Sequence, residues 1–72
     1  MSIETREYDI NFFKESIIGR KTDEVLMEIK NRGYESRLAS IDGEEFMLTM
    51  DLNLNRINLH IEKGIVIGSF IG

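Results

Sequence analysis

No cysteine and no proline occur in these 72 residues, and there is one histidine and no tryptophan. Without cysteine there is no disulfide, and a single histidine leaves no zinc site of the usual kind. A chain this short buries only about 60% of the surface that its unfolded form exposes. Below ~70–80 residues a core rarely supplies more than about 3–5 kcal/mol unless something staples it. Stability must therefore come from aliphatic packing, and isoleucine recurs throughout, at Ile10, Ile17, Ile29, Ile57, Ile61 and Ile71 among others.

Other absences narrow the partners. No apolar run approaches membrane-spanning length. Lysine and arginine number 9 against 13 acidic residues, a net charge of −4, and they form no basic stripe of the kind that tracks a phosphate backbone. Neither a membrane nor nucleic acid is expected as a partner. The opening Met-Ser-Ile-Glu-Thr-Arg-Glu lacks the basic-then-apolar pattern of a signal peptide. With no cysteine, a cytoplasmic location is expected; a mature secreted form is the other option.

What is present reads as a single domain over residues 1–72, with no linker or repeat. Residues 1–14 read as an N-terminal arm or short edge strand, and Phe12-Phe13 opens an apolar entry that Gly19 ends. A helix is predicted over residues 23–32. Thr22 is a suitable N-cap, Asp23 and Glu24 put acid in the first turn, and Val25, Leu26 and Ile29 share a face. Gly33 is placed as its left-handed C-terminal cap. Strands follow over residues 35–41, with Leu38 and Ile41 as core candidates, over 56–61, and over 65–71. In the second, Ile57, Leu59 and Ile61 alternate with Arg56, Asn58 and His60. In the third, Ile65, Ile67 and Ile71 are expected inward. Asp42-Gly43 and Glu62-Lys63-Gly64 are turn signals.

Residues 44–55 admit two readings. Phe46, Leu48, Met50 and Leu52 alternate with Glu45, Met47, Thr49 and Asp51, which favours a strand in an antiparallel meander. The alternative is a long ordered loop that exposes Met47, Leu48, Met50 and Leu52. Loops of such length in a compact domain are usually functional, and exposed apolar side chains then point to a partner.

Three blocks of residues carry a resemblance that bears on this choice. Ile17-Ile18-Gly19-Arg20 precedes the acid-capped helix. Thr49-Met50-Asp51 is followed, after residues 52–55, by Arg56-Ile57-Asn58-Leu59. Gly64-Ile65-Val66 and Ile71-Gly72 close the chain. In order and spacing these resemble the potato inhibitor I family of serine-protease inhibitors, and more closely its small bacterial and fungal branch. The resemblance spans residues 17–72. It implies an α+β fold, one helix packed on a small mixed β-sheet, with a long exposed reactive-site loop over residues 43–55. The chain departs from the family in lacking the microbial cysteine pair. Its loop is also slightly longer, Phe12 or Phe13 replaces a tryptophan, and Asn58 stands where a second supporting arginine is common.

The function the resemblance implies is substrate-like, reversible inhibition of a serine endopeptidase of subtilisin-like or chymotrypsin-like type. Such an enzyme binds an extended segment edge-on, and a loop already held in that shape loses little entropy on docking. Met50 would enter the primary pocket, with Met50–Asp51 as the scissile bond. Met47, Leu48 and Thr49 would lie on the acyl side and Leu52 on the leaving side. Arg56 would brace the loop by reaching both the Asp51 carboxylate and the Thr49 hydroxyl, with weaker support from Asn58. The rival is a non-catalytic binding module whose loop engages a different protein. Catalysis is not expected: Ser16, Ser36, Ser40, Ser69 and His60 form no nucleophile–base motif. No cofactor is implied, and Asp42, Glu44 and Glu45 lack calcium-loop spacing and read as a solvated turn.

Overall fold

The computed structural model describes residues 3–72, with side chains from Asp9 onward. Helix α1 (Ile3–Ser16) and helix α2 (Thr22–Asn31) precede strands β1 (Glu35–Ile41), β2 (Glu44–Glu45), β3 (Arg56–Glu62) and β4 (Ile65–Ile71). The sheet order is β2-β1-β3-β4, with β1 and β3 parallel and the other pairs antiparallel. The fold is thus a small α+β domain on a mixed sheet.

The expected N-terminal arm is helical over its described residues, and Met1 and Ser2 lie outside them. Ile10 and Phe13, with Ile17 just beyond the last turn, explain the helix. Their spacing of three and four brings them to one side, and all three are buried. Arg32 sits 4.2 Å above the Phe13 ring, Tyr34 packs beside that ring, and the Tyr34 hydroxyl donates to Asp9. Ser69 of β4 donates to the Lys14 carbonyl at 2.7 Å, tying α1 to the sheet.

Helix α2 matches the expected span to within one residue at each end, but its cap differs. Lys21 is the N-cap and has no side-chain cap bond. Thr22 instead donates its backbone N–H and its hydroxyl to the Gly64 carbonyl, both at 2.9 Å, fastening the helix start to the β3–β4 turn. At the other end Gly33 has φ +83°. Its N–H reaches the Lys30 carbonyl, and the Tyr34 N–H reaches that of Ile29. These are the two bonds of a Schellman stop, which requires a left-handed residue at this position.

The core joins Ile10, Phe13, Ile17, Val25, Ile29, Tyr34, Ile57, Leu59, Ile61 and Val66, with Leu26, Leu38, Ile41 and Ile71 packed against it. Strand β3 supplies its inward face as expected. Strand β4 does not: Val66 is buried, Ile65 is half-buried and Ile67 is exposed. The cause is a register shift opposite His60/Ile61. Leu59 faces Ser69, but Ile61 faces Val66, so the inward phase of β4 changes parity across the bulge.

The parallel β1–β3 pair rules out the meander. Ile41 lies beside Ile61 and Glu35 beside Arg56, so the chain must return along the whole strand before β3 begins. Six residue rises are about 20 Å, and a parallel connection commonly takes a dozen residues or more. Strand β2 takes up Glu44 and Glu45, and residues 46–55 adopt neither helix nor strand. The sheet topology thus requires a long connection here, independent of any function.

Candidate functional site

The returning segment runs from the β2-side edge of β1 to the start of β3, where the Asn55 carbonyl accepts from the Glu35 N–H. Phe46 still pairs with β1, its N–H donating to the Ala39 carbonyl. At the far end the Asn53 carboxamide oxygen accepts from the Asn55 N–H, closing a tight turn. Asn53 also donates to Glu35, and Asn55 donates to the Gly33 carbonyl at 3.1 Å. Met47 and Met50 are 99% exposed and Leu52 is 74% exposed, whereas Leu48 is half-buried.

Two arginines meet the segment from beneath. Arg56 opens β3, and its side chain is only 12% exposed. Its Nε donates to the Gly72 oxygen at 2.8 Å, and its two terminal nitrogens donate to the Asp51 carboxylate at 3.3 Å and the Asp51 carbonyl at 3.0 Å. One planar guanidinium therefore links the end of β4 to both the side chain and the backbone of Asp51. Arg37 lies on β1, opposite Asn58 in the parallel register. Its Nε donates to the Asn58 carboxamide oxygen at 2.7 Å, and a terminal nitrogen donates to the Thr49 hydroxyl at 2.8 Å. The Thr49 hydroxyl in turn donates to the Asp51 carboxylate. Residues 49 and 51 are thereby joined to each other and to two strands, and Met50 projects between them.

The expected roles are thus redistributed. Arg56 reaches Asp51, but the Thr49 hydroxyl is held by Arg37. The Asn58 carboxamide bonds to Arg37, Phe70 and Gly72, which lie on the flanking strands and at the chain end. Asn58 is fully buried and acts as a strut. Its amide donates to the Phe70 carbonyl at 3.3 Å and the Gly72 oxygen at 3.0 Å, while its oxygen receives Arg37. A second arginine thus reaches the segment from the neighbouring strand, and Asn58 holds its Nε. Sequence reasoning missed Arg37 because only the parallel register, which local alternation does not encode, brings it beside Asn58.

Asp51 is the group whose ionisation this arrangement perturbs. The Thr49 hydrogen bond, followed by the charge and hydrogen bond of Arg56, holds its carboxyl below the usual aspartate value against an opposing desolvation effect. Elsewhere, His60 is half-buried; its Nδ1 lies 2.7 Å from the Ser40 hydroxyl and its ring lies against Phe70. This is a cross-strand hydrogen bond on the outer sheet face. Among the described residues, no cluster of His, Cys, Asp and Glu could hold a metal ion, and no helix is long and apolar enough to cross a membrane.

No protein-family model, curated protein or solved structure matches the chain. The likeness to the potato inhibitor I family rests on the residue blocks described above.

Proposed function

We propose that the chain is a non-enzymatic, substrate-like inhibitor of a serine endopeptidase with an apolar primary pocket, subtilisin-like or chymotrypsin-like, acting in the cytoplasm. Met50 enters that pocket and Met50–Asp51 is presented for cleavage. Met47, Leu48 and Thr49 contact the acyl side and Leu52 the leaving side. The observation that carries this reading is the convergence of Arg37 and Arg56 on Thr49 and Asp51, the two residues flanking a fully exposed Met50.

Rigidity is what such a site needs. A protease accepts an extended segment as an added strand, and each flexible side chain or loop residue that must be ordered on docking weakens binding. Here the residues on both sides of Met50 are fixed before any enzyme arrives. After cleavage, the new amine of Asp51 would stay near the acyl group, because Arg56 holds that residue through its carbonyl and its carboxylate. Religation then competes with release. An apolar Met50 suits a hydrophobic pocket and not one that selects a cation. Standard protease–inhibitor interfaces bury about 1,600 Å² in total, which an 8.4 kDa wedge can provide.

Titrating subtilisin and chymotrypsin with the protein tests the proposal. Stoichiometric or slow-tight loss of activity is expected. Rapid cleavage at several bonds, or full activity at micromolar protein with the fold intact, refutes it and leaves a loop that serves a non-protease partner.

A further inference from the structure

We propose that Met50 makes the inhibitory site responsive to peroxide: conversion of its thioether to the sulfoxide releases the protease, and reduction of the sulfoxide restores inhibition. This rests on the function proposed above and adds a mode of regulation to it.

The chemistry needs an accessible sulfur, and among the described residues Met50 and Met47 are fully exposed. Met27, on α2, is 68% exposed and serves as an internal reference. In the reaction the sulfur lone pair attacks one oxygen of hydrogen peroxide or an alkyl hydroperoxide. The O–O bond breaks, a sulfur–oxygen bond forms, and the other oxygen leaves as water or alcohol, taking the proton. Sulfur is oxidised by two electrons and the peroxide is reduced by two. The product is reversible by methionine sulfoxide reductases, one for each epimer.

The geometry separates the effect on binding from any effect on folding. The bonds that hold the segment run through Arg37, Thr49, Asp51 and Arg56. The Met50 side chain projects into solvent and lies outside the core. Oxidation therefore leaves the brace and the core in place. What changes is the group offered to the pocket. A sulfoxide is polar and a strong acceptor, and burying it unpaired in an apolar pocket weakens binding by roughly ten- to a hundredfold. Met47, three residues upstream, contributes a smaller effect because it does not fill the primary pocket.

The test uses one partly oxidised sample. The protein is treated with hydrogen peroxide to partial conversion and mixed with a limiting amount of immobilised chymotrypsin or subtilisin. Bound and unbound fractions are then digested, and the one-oxygen mass increment is quantified at each methionine. Met50 sulfoxide is expected to be at least about tenfold enriched in the unbound fraction, while Met27 sulfoxide distributes evenly. Treating the unbound fraction with both sulfoxide reductases should return it to the bound pool. If Met50 sulfoxide partitions as Met27 sulfoxide does, the proposal is overturned while inhibition stands. If unoxidised protein does not bind at all, the proposed function fails and this inference fails with it. Unchanged thermal unfolding of the oxidised sample is expected; a lowered midpoint would refute the claim that the brace is left intact.

Discussion

Replacing Asn58 with alanine should destabilise the whole domain, although position 58 belongs to a polar strand face. The carboxamide uses three bonds. It accepts from Arg37 Nε at 2.7 Å and donates to the Phe70 carbonyl and the Gly72 oxygen. The first is charge-assisted and contributes about 1.5–3 kcal/mol, and the other two contribute about 1 kcal/mol each at most. The Gly72 oxygen keeps its bond from Arg56, and the half-exposed Arg37 can recover some water, so the net loss is about 3 kcal/mol. Against a total of roughly 4–11 kcal/mol for a domain of this length, that is a large fraction. The thermal midpoint should fall by roughly 12–24 °C. Urea unfolding gives the free energy, and a double-mutant cycle with Arg37→Ala isolates the shared bond, expected at about 1.5–3 kcal/mol of coupling. A loss below about 1 kcal/mol, or additive single mutants, would show that Asn58 is not the strut on which Arg37 rests.

Other expectations follow from the same geometry. Arg37→Ala and Arg56→Ala should each speed cleavage at Met50–Asp51 by a protease while leaving the circular dichroism of the fold in place; unchanged cleavage in both would remove the bracing role. Asp51 should titrate below its ordinary value of 3.8. Because its folded-state pKa is depressed, the stabilisation is present at neutral pH and is lost only as pH falls through the lowered value. An NMR titration with a midpoint at or above the ordinary value would contradict this, and Asp51→Asn should abolish the effect. Gly33→Ala forces a side chain into a left-handed residue with φ +83° and should cost about 1–2 kcal/mol, read from urea unfolding; a neutral result would mean that the turn relaxes.

Helix α2 and strands β1, β3 and β4 are visible in the sequence because first-turn acids, the Gly33 stop, apolar periodicity and turn dipeptides agree there. Asp42-Gly43 and Lys63-Gly64 adopt the paired positive φ values that tight hairpin turns need. Helix α1 was hidden because the charge-rich residues 4–9 and the adjacent Phe12 and Phe13 obscure the single row made by Ile10, Phe13 and Ile17. The phase of β4 was lost at a bulge, which shifts register without altering composition. The site was half legible. Arg56 and Asp51 are five residues apart, and their pairing is expected only through the resemblance, not from spacing alone. Arg37 and Thr49 meet only because β1 and β3 run parallel and force the connecting segment back across Arg37. Asn58 does not reach the segment with a hydrogen bond of its own; it holds Arg37, and Arg37 holds Thr49.

If the two arginines hold both sides of Met50–Asp51 in place, cleavage at that bond is reversible. The most direct test starts from intact protein and, separately, from protein nicked at that bond, each incubated with a catalytic amount of subtilisin. Both samples should converge on the same ratio of intact to nicked chain, with the nicked sample regaining intact mass. Nicked protein that never religates, or intact protein that proceeds to complete digestion, would contradict it.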